Sequence, residues 1–569
     1  MNPEKSRTLR DAIPLLVIVC LLPFVVYGHI YEYEGESFGI FLDGKTFCDF
    51  FSHTRALIFE VAGLYMLYRL ITDHLQGRFK RPCFVMAAGS AVLAACLLIS
   101  GVLALNSYLA FYGGYQRFEG TFVKLSYLIL ALYTYQVSGS ERLRSAVLKG
   151  TIVTSVIECI VGLLQMAGHD PFATGFVQSL ILPGELEGSE ITNILGDNRV
   201  YLTMANPNYA SMYLAVMIII ITFSAVFVKK RGYRAGLAVL DVICFAELTA
   251  TRSRTGVIML IAAALVWLII SAKSILRDKK KVMLILGMII MMLAAGIITD
   301  RVMDLGMWDR IGYSLRTFGQ DHRNCSITYL NTGMQDVEIE YGEKFVAVSF
   351  GDIMDTEHLN IRYMKDGDGP DELRFSVEEI DQEPMIVAEE GDTRFYFAYD
   401  SELGYMIYAG NGYYDYIDYI PHVDMHGLEP AASGRGYIWS RTLPLIRGMR
   451  IVTGYGADNF YLAYPQNDYL GKAQYSSSPY TIIEKPHNTY LLYGVENGVP
   501  AMIAFAAMIF ALICYCIRKR RNACALLTAL LMAAYAAGYF FNDSSIVISP
   551  LFWIILGAGY RLTEEDAAV

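Results

Sequence analysis

His487 opens the run KPHNTYLLYGVENGVP (485–500), where a long polar segment returns to apolar sequence. An imidazole at such a boundary suits proton transfer near neutral pH, the property a general base needs. Arg252, Ser253 and Arg254 fill the tight turn ATRSRTG (250–256) between two apolar stretches. Arginine this close to a bilayer is costly unless paired or used, and snorkelling to the headgroups accounts for one such residue. Two arginines flanking a serine, in a turn that opens a helix, can turn guanidinium forks and backbone N–H groups to one phosphate-like anion. Arg435 begins a third polar element. Helical spacing of Tyr437, Ile438, Trp439, Leu443, Leu445 and Ile446 predicts an amphipathic surface helix over about 435–449. Asn206-Pro207-Asn208 predicts a helix cap; two amides there also suit hydroxyl or phosphate groups, and both readings stay open. Glu496 lies nine residues after His487, about 13 Å along a helix, too far to pair with it there. It reads as a buried structural acid or a contact to another helix.

These residues must be positioned by a membrane scaffold. Of the 569 residues, 54% are hydrophobic, and they gather into stretches of roughly 17–25 residues, long enough to span a bilayer. The stretches lie near 12–28, 55–73, 83–106, 121–138, 146–166, 209–228, 235–250, 256–272, 282–299, 499–517, 523–541 and 546–560. Basic residues fill alternate connections, among them Arg78–Arg81, Lys229–Arg234, Lys273–Lys281 and Arg518–Arg521. About twelve transmembrane helices with both termini cytoplasmic satisfy this asymmetry at every loop. The expected fold class is an all-α polytopic membrane protein with an inserted extracytoplasmic β-rich domain. Residues 1–300 form an N-terminal transmembrane region of about nine helices, 301–487 an extracytoplasmic loop, and 488–569 a C-terminal region of about three helices.

Within that loop, 313–430 reads as the insert. Alternating runs over 336–350, 372–380, 384–400 and 403–420 predict antiparallel strands, with turns at Gly391-Asp392 and Gly410-Asn411-Gly412. Tyrosines between Tyr405 and Tyr419 suit either packing on a neighbouring strand or stacking on sugar rings. Asp366, Asp368 and Asp371 lack the later glutamate of a calcium loop, and His422 and His426 lack a helix to share, so both groups read as turn and surface. Arg117 and Glu119, in the loop 107–120, read as a surface ion pair. Cys48 and Cys325 alone fall on the outer side, where a disulfide between them is an open possibility. The net charge of −10 resides mainly in the outer segment, and no nucleic-acid partner is expected.

Four motifs recur together: SRTG at 253–256, NPN at 206–208, GR-x-x-x-W from Gly434 to Trp439 with GYGADNF after it, and HN-x-x-L-x-x-x-x-E-x-G from His487 to Gly498. In this order they resemble the O-antigen ligase and polymerase family, which includes lipopolysaccharide ligases, glycan polymerases and protein O-oligosaccharyltransferases. The resemblance covers about 10–300 and 430–560; the insert departs from it. It implies a glycosyltransferase bundle of the C type and a glycan donor on polyprenyl (undecaprenyl) pyrophosphate. It also implies a glycan, lipid or protein acceptor, and no metal or other cofactor. By the same resemblance Arg254 and Arg435 hold the pyrophosphate and His487 is the catalytic histidine, while Arg252 has no firm counterpart. Two rival classes are a transporter using Glu60, Glu158, Asp241 and Glu247 as a proton path, and a membrane-anchored glycan-binding protein. The charge asymmetry sets a topology test. In intact cells an impermeant thiol reagent should label a cysteine placed in the insert and leave Lys279→Cys untouched. Labelling of Lys279→Cys without the insert contradicts the topology.

Overall fold

The computed structural model describes residues 3–565 apart from 33–45, 115–116, 187–198, 276–278, 317–322, 353–354, 364–371, 411 and 520–521. The first part of the chain is helical: α1 Pro3–Leu16, α2 His53–Leu75, α3 Phe84–Val102, α4 Ser107–Tyr112, α5 Thr121–Val137, α6 Glu141–Met166, α7 Gly175–Ile181, α8 Pro207–Phe227, α9 Arg231–Ala250, α10 Thr255–Ile275, α11 Lys279–Val302 and α12 Met307–Arg316. After the insert come α13 Ala431–Thr442, α14 Arg450–Thr453, α15 Phe460–Ala463, α16 Tyr469–Tyr475, α17 Thr489–Asn497, α18 Val499–Arg518, α19 Ala523–Phe541 and α20 Ser549–Glu565. Among the described residues, α3, α6, α8, α11, α18 and α19 are long and apolar enough to cross a membrane. The protein is therefore a multi-pass membrane protein.

Helix α8 is the most enclosed of these six. Asn206 caps it, its Oδ1 accepting from the Asn208 N–H at 2.8 Å, and Pro207 occupies the first turn, where a missing N–H costs nothing. Helices α9, α10 and α19 surround it. Two acids invoked by the transport reading have local partners: Glu158 Oε1 accepts from Thr203 Oγ1 at 2.6 Å, and Asp241 Oδ2 from Thr222 Oγ1 at 2.5 Å. Buried Arg55 donates to the carbonyls of Val25 (2.7 Å) and Thr203 (2.7 Å), tying the chain after the first helix to the segment ahead of α8.

The first loop carries two short antiparallel strands, β1 His29–Glu32 paired with β2 Thr46–Asp49. The insert has two antiparallel sheets sharing one apolar core. The four-stranded sheet runs β3 Ile327–Thr332, β4 Val337–Tyr341, β5 Lys344–Asp352 and β6 Asp355–Tyr363. The five-stranded sheet is ordered β11-β10-β9-β8-β7, from β7 Leu373–Ile380, β8 Glu383–Glu390, β9 Thr393–Asp400, β10 Gly404–Gly410 and β11 Tyr413–Asp415. Gly391-Asp392 makes the β8–β9 turn as its sequence predicts, since Glu390 faces Thr393. Tyr405 and Tyr408 are buried in packing, whereas Tyr413, Tyr416 and Tyr419 remain exposed.

Two expectations change, and one open question is answered. Cys48 and Cys325, whose pairing the sequence leaves open, are free thiols; Cys325 is buried in the insert with its Sγ 3.0 Å from Glu390 Oε2. The run 435–449 is helical only to Thr442, because Pro444 follows in a 3-10 turn, and Tyr437 and Ile438 face the protein interior. Arg117 and Glu119 do pair, but the pair is buried. His422 and His426 lie in exposed coil, and Asp366, Asp368 and Asp371 lie outside the described residues. Close packing of α5 on α20 yields a test. A Cβ at Gly557 would overlap the Ala131 carbonyl oxygen, and backbone cannot yield as a side chain can. Gly557→Val should cost about 1–3 kcal/mol and lower the unfolding temperature in detergent; an unchanged midpoint contradicts this packing.

Candidate active site

The candidate residues are held by turns at helix ends, on the side of the bundle that carries the insert. In the turn between α9 and α10, the Ser253 hydroxyl donates to Asn208 Oδ1 at 2.7 Å and accepts from Ser211 Oγ at 3.0 Å. Asn206 caps, Asn208 braces, and the brace pins the turn from which Arg254 projects. Arg252 takes left-handed backbone there (φ 56°). Ahead of Arg435, Ala432, Ser433 and Gly434 are all left-handed, with φ of 53°, 63° and 80°. His487 is left-handed too, at 51°. Such conformations cost non-glycine residues about 1–3 kcal/mol each and persist where surrounding contacts over-determine them.

Those contacts converge on Asn542-Asp543, between α19 and α20. Asp543 Oδ2 lies 3.0 Å from His487 Nδ1, and its Oδ1 accepts from the Asn488 N–H at 3.2 Å. The Asn542 carbonyl accepts from the Thr489 N–H (3.0 Å) and Oγ1 (2.8 Å). Its side chain accepts from Arg435 Nη2 at 3.4 Å and donates to Thr255 Oγ1, beside Arg254, at 3.1 Å. Trp439 Nε1 donates to the Pro486 carbonyl at 2.8 Å, fastening α13 to the residue before the histidine. Arg435 and His487 thus meet on one dipeptide, and Arg254, next in sequence to Thr255, lies near enough to Arg435 for their charges to repel. The imidazole keeps a third of its side chain exposed while Asp543 is almost wholly buried.

Like charges lie close together here. Burial lowers the Arg435 guanidinium from its ordinary value, Asp543 opposes that fall, and nearby Arg254 adds to it. Arg254 is lowered by burial and by Arg310. Guanidiniums stay protonated regardless, so an entering anion gains by relieving their repulsion. Burial alone would raise the Asp543 carboxyl, but His487, Lys485 and Arg117 hold it below the ordinary carboxylate value.

Behind the site lies a buried ion network. Arg117 contacts Glu119 (3.1 Å), Glu496 (3.4 Å) and Asp458 (3.5 Å), and Lys124 Nζ contacts Glu496 at 2.5 Å. Ser544, next to Asp543, donates to Glu119 Oε2 at 2.7 Å. The Arg117–Glu119 pair is interior because the chain folds back after Gly113, the Gly114 and Glu119 N–H groups both donating to Asp458. Glu496 binds Lys124 of α5 and Arg117, which makes it a scaffold acid by geometry.

Sequence reasoning missed Asn542 and Asp543. The signal was present as NDSS (542–545), four polar residues between two apolar helices. Lys124 was hidden inside an apolar stretch.

Membrane-crossing helices, a β insert and an arginine–histidine–aspartate assembly at helix ends define a multi-pass membrane protein with a site suited to an anion and a proton. Residues 395–506 match the family model for O-Antigen ligase, so the chain carries an O-antigen ligase family domain over that stretch. No curated protein and no solved structure matches the chain. The matched stretch contains Arg435, His487 and Glu496; Arg254 and Asp543 come from outside it.

The Asp543 pair predicts a pH signature. A carboxylate depressed by folding contributes stability that is full above its unfolded value, about 3.9, and is lost as pH falls through the lower folded value. The unfolding midpoint of the parent should exceed that of Asp543→Asn at neutral pH, and the gap should shrink below about pH 4. A gap constant across that range contradicts the assignment.

Proposed function

We propose that the protein moves a glycan from a polyprenyl (undecaprenyl) pyrophosphate donor to an acceptor hydroxyl, on the extracytoplasmic face of the cell membrane, in surface polysaccharide biosynthesis. The reading includes about twelve spans in a C-type bundle, cytoplasmic termini and metal-independent inversion. The observation that carries it is the meeting of Arg435 and a histidine–aspartate pair on Asn542-Asp543, with Arg254 close beside Arg435, in a chain with an O-antigen ligase family domain.

In this reading the His487 Nδ1–H donates to Asp543, which fixes the ring and leaves Nε2 able to accept a proton. The acceptor hydroxyl gives its proton to Nε2 as its oxygen bonds to the anomeric carbon. The bond from that carbon to pyrophosphate breaks, its electron pair leaves with the polyprenyl carrier, and attack opposite the leaving group inverts the centre. Arg254 and Arg435 hold the charge that develops on the pyrophosphate, each such interaction being worth about 2.7–4 kcal/mol in a dry site. Arg252 stands as a further candidate cation, and Asn206, Asn208, Ser253 and Glu496 support the frame.

Two substitutions test the roles separately. Arg254→Lys and Arg435→Lys keep charge but lose the planar fork, and transfer should fall by about 10²–10³; near-normal product at normal protein level removes that arginine from the site. His487→Ala should lower turnover by about 10²–10⁴ with donor affinity nearly unchanged. Retained turnover with lost donor affinity reassigns the histidine to donor binding.

A further inference from the structure

The insert holds a cleft of about 640 Å³, within the range of small-ligand sites, between β5 on one sheet and β8–β10 on the other. Phe350 and Tyr399 supply aromatic surface, backed by buried Tyr405; the Phe350 and Tyr405 rings stack at 6.1 Å, and the Tyr399 ring lies 4.8 Å from that of Tyr405. Tyr405 is fixed, because its hydroxyl accepts from the Phe350 N–H at 2.8 Å. Gln335, Ser349, Ser401 and Glu383 supply an amide, two hydroxyls and a carboxylate. Glu383 also accepts from the Tyr414 hydroxyl at 2.9 Å, which orients it. No lysine, arginine or histidine is among the described lining residues, so the cleft lacks the cations that phosphate recognition uses. Ring faces beside neutral donors and one acceptor-only carboxylate match the two aspects of a saccharide, its apolar C–H faces and its hydroxyls.

The insert is also keyed to the site. Tyr469 and Ala473 of α16 are buried in the insert core, and the Tyr469 hydroxyl donates to Asp415 at 2.8 Å. Asp468, which caps α16, accepts from the Tyr437 hydroxyl (2.9 Å) and Arg441 Nε (2.8 Å), both on the helix that carries Arg435.

We propose that this cleft binds an uncharged stretch of oligosaccharide, the part of a glycan substrate remote from the reacting bond; the choice of that glycan rests on the transfer reading above. The test uses the full chain in lipid nanodiscs and, as probe, oligosaccharides of two or more repeats released by mild acid from the producing cell's lipid-linked glycans. Calorimetric titration should show binding by the parent, weakened roughly tenfold or more in Ser401→Trp, which fills the cleft from an exposed turn, and in Glu383→Gln, which removes the carboxylate. Absence of binding by the parent, or equal binding by both variants, overturns the proposal. Transfer to a single-repeat acceptor, measured in parallel, reports on the catalytic reading by itself. Transfer without probe binding removes the cleft alone, and probe binding without transfer removes the catalytic reading alone.

Discussion

The hydrogen bond between His487 and buried Asp543 is the contact on which the rest of the site depends. An isolated carboxylate in that position would carry a desolvation cost of several kcal/mol. The imidazole, the Asn488 N–H and the nearby cations offset it. Asn542, its neighbour, bonds α17 through its carbonyl and reaches Arg435 and Thr255 through its amide. One dipeptide thus sets the separation of three chain segments far apart in sequence.

The buried ions behind it give this arrangement its stiffness. Arg117, Lys124, Glu119, Asp458 and Glu496 could each lie in water at less desolvation cost, so their value is in fixing geometry, since a charge stripped of its partner in such a place costs about 3–5 kcal/mol. Left-handed backbone at Arg252, Ala432, Ser433 and His487 is held against that frame. Left-handed backbone beside each candidate residue and a buried polar layer beneath them are two parts of one arrangement.

Much of this was legible in the sequence because hydrophobic length and charge asymmetry act locally. All twelve apolar stretches are helical over most of their length. Arg254, Arg435 and His487 stood out as polar residues at the starts of helical segments. Asp543 did not, because a single acid between two apolar helices has no periodicity and its partner is remote in sequence. Arg117 was placed on the surface because only its neighbour Glu119 was visible as a partner; Asp458 and Glu496 come from distant segments. Strand β6, DTEHLNIRY, is too polar to alternate clearly and forms because β5 offers it an edge. In each case tertiary contact supplied what local pattern lacked.

The central claim is that two arginines receive pyrophosphate while an aspartate-held histidine faces the bond that breaks. The most direct test is an experimental structure of the protein in nanodiscs with a lipid-linked glycan whose pyrophosphate linkage resists cleavage. The account predicts pyrophosphate oxygens within hydrogen-bond reach of Arg254 and Arg435, with His487 Nδ1 still on Asp543 and Nε2 turned to the open side of the anomeric carbon. Pyrophosphate bound away from both arginines, or His487 turned from Asp543 onto the phosphate, contradicts it.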